Sequence, residues 1–395
     1  MTILFVHSGA DLYGASRSLL RLSSRLVKDG VGVLVLLPFD GPLRDALARS
    51  GVTVRIEPTL TVVTRANLRR FREFAALPFL AIRSVRRVLE VIREVRPNVV
   101  HSNTAIILTP GIAALVAGVP HIWHVRESFG EFGRLWSVFQ WYMFACSTRV
   151  ICVSDAVRQQ FVPFIRERKT TVIHNGIPAS EFGTVSDDRI QEFRRTFGLE
   201  GFLLVGVVGR LKLVRKGQDT FLRAAALIAA EHPDVRFVLI GSPFPGNESH
   251  GKALSALGRE LGIDKQIVFT GDVADIRAAY AALDISVLPS EQPEPFGGVV
   301  IESMAAGKPV IGTRIGGTCE QIADGETGLL VAPGEPQALS IALHQLIADP
   351  ALRKRMGESG RKRYESLFEF EGFYTRMVET YRSTVKGGVS WHGSI

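Results

Sequence analysis

Along this chain, short continuous apolar runs alternate with longer segments whose apolar positions recur three and four residues apart. The first pattern marks strands buried on both faces, and the second marks helices laid over them. Ile3–His7, Val31–Leu37, Val52–Ile56, Val99–His101, His121–His124, Val150–Val153 and Thr171–Ile173 predict seven strands. Helical spacing fills 17–28 and 42–49, and 105–119 reads as a buried helix capped by Ser102, Asn103 or Thr104. The pattern breaks at His174–Ser180, where Asn-Gly and Pro are turn signals, and the stretch after it is polar. We therefore expect a first domain over 1–178 and a linker into the 190s. A second domain over 195–369 carries strands at Phe202–Val208, Val235–Ile240, Ile267–Thr270, Ile285–Pro289, Val310–Thr313 and Gly328–Val331. The last amphipathic segment, about 370–395, is expected to pack back on the first domain. Strand and helix in alternation predict an α/β fold of two doubly wound, Rossmann-like parallel-sheet halves facing each other across a cleft, with ligands outside the carboxyl ends of the strands.

Composition narrows the class. Charged residues are 22% and hydrophobic residues 46%, an ordinary soluble balance. The three cysteines, Cys146, Cys152 and Cys319, make no Cys-x-x-Cys pair, so no disulfide framework or zinc ribbon is indicated. The start MTILFVHSGA lacks a signal peptide's basic leader, and 105–119 is interrupted by Pro110, Gly111 and Gly118 and falls short of a bilayer span. A cytoplasmic protein is expected. The net charge of +8 is uneven, because residues 1–178 hold 23 Lys and Arg against 12 Asp and Glu. Arginines 65, 69, 70, 72, 83, 86, 87, 93 and 96 lie among Phe71, Phe74, Leu77, Phe79, Leu80 and Ile82, and 129–144 adds Phe132, Trp136, Phe139, Trp141 and Tyr142. A basic amphipathic surface of this kind suits the anionic inner face of a cell membrane. No recognition motif for nucleic acid accompanies the charge.

Two strings carry chemistry. In SEQPEPFGGVVIE (290–302), Glu294 precedes and Glu302 follows the turn Pro295-Phe296-Gly297-Gly298, which opens an apolar helix stopped by Gly307 and Pro309. Glycines let backbone N–H groups approach a ligand, and a helix start suits a phosphate. A carboxylate on either side suits paired hydroxyls of a sugar and a ribose. The second string, GRLKLVRKG (209–217), leaves a predicted strand directly and brings Arg210 and Lys216 to the ligand edge, where fixed positive charge stabilises a departing diphosphate.

The chain resembles retaining glycosyltransferases of family 4, which have the GT-B fold. The resemblance rests on GRLKLVRKGQDTF (209–221), on 289–331 from PSEQPEPFGG to TGLLV, and on VIHNGI (172–177). It implies a nucleotide-sugar donor, Arg210 and Lys216 on its diphosphate, Glu294 on the transferred sugar and Glu302 on the ribose. It also implies a backbone cradle at Phe296, Gly297, Gly298 and Val299, and nucleobase contacts over Gly271–Val273. Gly14 matches the second glycine of the family's first-domain turn, with Tyr13 where the first would stand. His124 matches the active-site histidine that touches a donor-sugar hydroxyl, and His101 and Asn103 end a neighbouring strand toward the acceptor. Arg210 and Lys216 stand one residue further apart than is usual, and Pro178 replaces a frequent acidic residue. No metal and no other cofactor is implied.

The expected reaction is hexosyl transfer to a glycan, lipid-linked or other hydroxyl acceptor in cell-surface polysaccharide or glycolipid synthesis. The alternatives are an inactive homologue serving as a membrane-associated assembly partner, and another GT-B enzyme such as a nucleotide-sugar epimerase or an inverting transferase. A Rossmann oxidoreductase would need Gly-x-Gly-x-x-Gly after the first strand, and Gly9 and Gly14 have the wrong spacing.

Overall fold

The computed structural model describes residues 1–63, 71–182, 184–244 and 246–385. The chain forms two compact units, one of Met1–Asn175 with the chain from Phe373 onward, the other of Gly176–Gly372.

In the first unit, β1 (Thr2–Val6), β2 (Gly32–Leu37), β3 (Thr53–Ile56), β4 (Val99–Ser102), β5 (His121–Val125), β6 (Arg149–Cys152) and β7 (Thr170–Val172) form one sheet. Its order is β3-β2-β1-β4-β5-β6-β7, and every neighbouring pair is parallel. The central strands are buried along nearly their whole length, which is why they read as unbroken apolar runs rather than alternating ones. The order reverses between β1 and β4, so the loops leaving those two strands flank the switch point where such sheets bind ligands. The final helix, Phe370–Thr384, is tied to this unit through Tyr374, whose hydroxyl donates to Asp29 and whose ring lies 4.7 Å from the Arg25 guanidinium, and through Tyr381.

The second unit repeats the plan with β8 (Leu203–Val208), β9 (Val235–Ile240), β10 (Ile267–Gly271), β11 (Ile285–Leu288), β12 (Val310–Thr313) and β13 (Gly328–Val331). The order β10-β9-β8-β11-β12-β13 is again all parallel, with its reversal between β8 and β11. Two apolar clusters cover its faces. One is built around Phe221, Phe237 and Leu343, the other around Tyr280, Ile301 and Tyr364.

Three local expectations are corrected. The helix expected over 105–119 runs only from Thr109 to Ala117, because Pro110 in its first turn fixes the start. No side chain caps it. Ser102 is the last residue of β4 and bonds His121 Nε2 at 2.9 Å, while Asn103 turns to His7 and Ala15. The polar stretch taken for a linker is part of the second unit, since Asp187–Thr196 is a helix whose Phe193 packs into the core and whose Arg189 pairs with Asp275. The basic segment forms the helix Phe71–Val95 with Pro78 inside it; Arg65, Arg69 and Arg70 lie outside the described residues.

Candidate active site

The second unit assembles most of its polar machinery on the two loops at its switch point. After β8 the chain crosses Gly209–Gly217. Gln218, almost fully buried, holds this loop by donating to the Arg210 carbonyl and accepting from the Lys212 N–H, both at 2.8 Å. The Arg210 guanidinium lies 4.6 Å from the Phe244 ring centroid. The loop turns on Val214, a β-branched residue held at φ 68°, where L side chains are strained. Gly217 closes it at φ 62°, and a Cβ there would lie 1.8 Å from the Pro289 carbonyl oxygen. Only glycine lets this loop sit against the one leaving β11.

That contact brings Lys216 to Glu294, and the two side chains form an ion pair. Ser290 Oγ donates to the same carboxylate at 3.0 Å. The Glu294 backbone is fixed too. Its carbonyl accepts from Gly317 at 2.8 Å, and Gly316 packs so closely that a Cβ would lie 2.4 Å from that oxygen. Burial opposes ionisation of Glu294, but the charge and hydrogen bond of Lys216, the Ser290 hydroxyl and the Arg215 charge outweigh it and hold the carboxyl below its usual range.

Three residues on, Gly297 caps the helix Gly298–Ala305. Its N–H and carbonyl are both taken by the buried Gln321 amide, at 3.3 and 2.9 Å. The first N–H groups of the helix, from Gly298 and Val299, have no intrahelical partner and form the helix's positive pole. Glu302 lies one turn further, its Oε2 accepting from the buried Tyr280 hydroxyl at 2.6 Å. Phe296 packs its ring 5.8 Å from that of Phe368. Gly271 ends β10 at φ 67° beside the turn that leaves β9. Its carbonyl accepts from Gly241 at 2.9 Å, and Asp272 accepts from the Ser242 N–H at 3.0 Å. Val273 packs into the core.

The first unit builds its strand ends differently. Gly14 opens the helix Gly14–Lys28, with open space around the position of its missing Cβ. Tyr13, in the place of the family's first glycine, adopts φ −88° and ψ −176°, an extended conformation any residue tolerates. The turn is held by side chains instead. Asp11 accepts from the Tyr13 N–H at 2.9 Å and from Ser16 Oγ at 3.0 Å, and Ser16 in turn lies 3.0 Å from His7 Nε2. Asn103, at the end of β4, donates to His7 Nδ1 at 3.2 Å and to the Ala15 carbonyl.

His124 is fully buried near the end of β5. Arg126 Nη2 lies 3.3 Å from its Nδ1. A guanidinium only donates, so Nδ1 accepts and the proton of the neutral ring sits on Nε2. That Nε2 is buried and has no hydrogen-bond partner among the described residues. Burial first, then the charge of Arg126 and the neighbouring His101, hold His124 neutral, its pKa well below the ordinary imidazole value. His101, whose ring lies 5.6 Å away, is likewise kept neutral by burial, and its Nδ1 pairs with Tyr381 OH at 2.7 Å.

Arg126 is half-buried, and its side chain hydrogen-bonds neutral groups, Asn175 Oδ1 at 2.6 Å, Ser18 Oγ at 3.1 Å and His124, while the Glu127 charge lies nearby. Burial lowers its pKa to about 10, while burial raises that of Glu127 to about 7 despite two backbone N–H donors. His7, Ser18, Arg126, Asn175 and Tyr381 in the first unit, and Gln218, Tyr280 and Gln321 in the second, escaped the sequence reading. His7, Tyr280 and Tyr381 are polar letters at the edge of apolar runs, and the others sit in short polar stretches that read as loops or helix starts. For His7 and Arg126 the available signal was the cost of burying a polar group just past a strand end.

With this geometry in view, comparison with known proteins is direct. The model described as Glycosyltransferase Family 4 matches residues 13–181, and that described as Glycosyl transferases group 1 matches 189–363. The chain belongs to the family 4 glycosyltransferases and has their two-domain GT-B fold. HepE of Anabaena, solved in complex with UDP-glucose, is 26% identical with a TM-score of 0.81, over 97% of this chain and 100% of that one. D-inositol 3-phosphate glycosyltransferase of Corynebacterium urealyticum is 33% identical over 54% of this chain, and the match spans about half (51%) of that relative's length. The capsular polysaccharide biosynthesis glycosyltransferase CapM of Staphylococcus aureus is 26% identical over 78% of this chain and 82% of its own.

Proposed function

We propose that this chain transfers a hexosyl group from a nucleoside-diphosphate sugar to a hydroxyl of a glycan or lipid-linked acceptor, in polysaccharide or glycolipid synthesis, with retention at the anomeric carbon. The observation that carries the reading is the Lys216–Glu294 pair, set beside a glycine-lined helix start. Without donor, each side chain satisfies the other. With donor, Lys216 and Arg210 turn to the diphosphate and Glu294 to the hydroxyls of the sugar, while the Gly298 and Val299 N–H groups cradle the phosphate end and Gly297, whose own N–H is held by Gln321, lets the chain approach it. Glu302 takes the ribose, and Gly271 and Val273 border the base. Tyr280, bonded to Glu302, leaves its other carboxylate oxygen for the ligand. From the first unit, His124 offers Nε2–H to a sugar hydroxyl, and Gly14 leaves room at its helix start. The leaving diphosphate gains charge as the glycosidic bond breaks, and the two fixed cations stabilise it without a divalent metal. In support, a structural neighbour was solved with UDP-glucose, and CapM is named for capsular polysaccharide synthesis.

A thermal-shift panel of UDP-, GDP- and ADP-sugars tests the donor class. A true donor at 100 times its dissociation constant adds roughly 2.7 kcal/mol, and a panel with no shift overturns the reading. Product stereochemistry tests retention, and undiminished transfer in chelator tests metal independence.

The membrane-facing acceptor is a second element of the proposal. No helix among the described residues is long and apolar enough to cross a membrane. The helix Gly133–Cys146 nevertheless exposes Leu135, Val138 and Trp141, and Phe164 joins them, with its ring 5.7 Å from Trp141. The Arg168 guanidinium lies 3.8 Å from the Phe164 ring centroid, and Lys169 Nζ 4.8 Å from that of Phe144. Apolar rings bordered by cations fit the headgroup zone of an anionic bilayer. Co-sedimentation with vesicles containing anionic lipid, lost in Leu135→Ser with Trp141→Ser, is expected.

A further inference from the structure

At the opposite end of the second sheet from Lys216 and Glu294 lies a cluster that the transfer chemistry does not use. Glu231 and His232 follow the helix Gln218–Ile228 and precede β9, at the amino-terminal edge of the strands. His344 comes from the helix Pro336–Ala348. His232 Nε2 and His344 Nδ1 lie 3.0 Å apart, Glu231 Oε2 lies 3.6 Å from His344 Nδ1, and one ligand atom from each of the three falls within 4.8 Å of the others. Zinc holds imidazole nitrogens and carboxylate oxygens at about 2.0–2.1 Å in a tetrahedron, which sets neighbouring ligands about 3.3 Å apart. The two measured separations straddle that value, so an ion can enter with small side-chain rotations.

The scaffold is already fixed. Gln266 Nε2 donates to the His232 carbonyl at 2.9 Å and to those of Ala229 and Val235, and the His232 and Val235 N–H groups close turns within the same loop. Leu343 and Leu346, either side of His344 on the other helix, are anchored in the core cluster that holds Phe221 of the preceding helix. Backbones held this firmly lose little freedom when the ligands close on an ion.

We propose that Glu231, His232 and His344 bind Zn²⁺ or a similar first-row divalent ion, with water completing the coordination, and that the ion staples the 229–235 loop to the helix Pro336–Ala348. Two imidazoles and one carboxylate favour such ions over Mg²⁺ or Ca²⁺. The site is separate from the donor chemistry, so its occupancy does not bear on the proposed transfer.

Isothermal titration of ZnCl₂ into the full chain, first stripped with chelator, tests this. One equivalent is expected to bind. His232→Ala and His344→Ala should each weaken that binding about tenfold or more, and Glu231→Gln less. Zinc should raise the melting temperature of the wild type and leave the His232→Ala, His344→Ala double variant unmoved. Both histidines are on the surface, so the variants should fold, as circular dichroism will show. No zinc binding by the wild type, or equal affinity in the double variant, would overturn the proposal.

Discussion

The two units share a plan and differ in the material used at the strand ends. The second unit presents charge: Arg210 and Lys216 among four cations on one loop, Glu294 and Glu302 on or beside one helix start, and glycines where chains must touch. The first unit presents buried neutral groups: His7 bonded to Ser16 and Asn103, His101 to Tyr381, His121 to Ser102, and His124 beside Arg126. Arg126, half-buried there, hydrogen-bonds through its side chain to the neutral Asn175 and Ser18, with the Glu127 charge nearby. The difference suits the two halves of the proposed reaction. A diphosphate needs opposite charge, whereas a sugar hydroxyl needs an oriented dipole that does not compete for protons.

The sharpest way to break this comparison is to remove charge from the second unit. Glu294→Ala should lower transfer by at least about 10²–10³-fold, measured as sugar release from UDP-glucose or whichever donor the panel selects, while the fold is kept. Wild-type turnover would remove Glu294 from the site.

Removing charge from the first unit should act differently. In Arg126→Met, His124 loses the donor that fixes its tautomer, and kcat should fall about tenfold to a hundredfold with little change in donor KM. Stability should change little, because the desolvation cost relieved is offset by losing the attraction of the neighbouring Glu127 charge and the bonds to Asn175 and Ser18. A melting temperature that drops while kcat stays level would reverse the assignment.

Acid should separate the units without mutation. Burial lowers the folded-state pKa of His7 to about 4 and of His121 to about 3, so between 6.5 and those values the unfolded chain binds more protons than the folded one. Stability from these groups is present above pH 6.5 and is lost as pH falls toward 4. Glu127 acts in the opposite sense: its folded value of about 7 makes it stabilise as pH falls from 7 toward the ordinary carboxylate range. Four lowered histidines outweigh one raised carboxyl. Glu294, held low, keeps its contribution until pH drops below the ordinary carboxylate value. Amide hydrogen exchange at pH 7 and 4.5 should show protection lost first within 1–175. Equal loss in 176–372 would contradict this.

The smallest expected effect is at Val214. Val214→Gly relieves a left-handed β-branched residue and should stabilise by about 0.5–1 kcal/mol, read by denaturant melts, with transfer unchanged.

The same contrast explains what the sequence made legible. The strands were readable to within a residue or two because burial on both faces leaves uninterrupted apolar runs. Lys216 and Glu294 stand in strings whose glycines and prolines mark loops, so each was visible from its near neighbours. The first unit's constellation draws on residues 7, 18, 101, 103, 124, 126, 175 and 381, and only the sheet order brings them together. No local window contains that information. The misplaced linker has a related cause. Residues 187–196 are polar on most faces, and their helix holds to the second unit through Phe193 and the Arg189–Asp275 pair, too sparse a signal for periodicity to register.

The central claim is that the loops after β8 and β11 grip a diphosphate-linked sugar through Arg210 and Lys216. Calorimetric titration of UDP-glucose, or the donor that the shift panel identifies, into wild type and into the Arg210→Ala, Lys216→Ala double variant measures it directly. Binding is expected in the first and a loss of about a hundredfold or more in the second, with both proteins folded. Equal affinity in the two would contradict it.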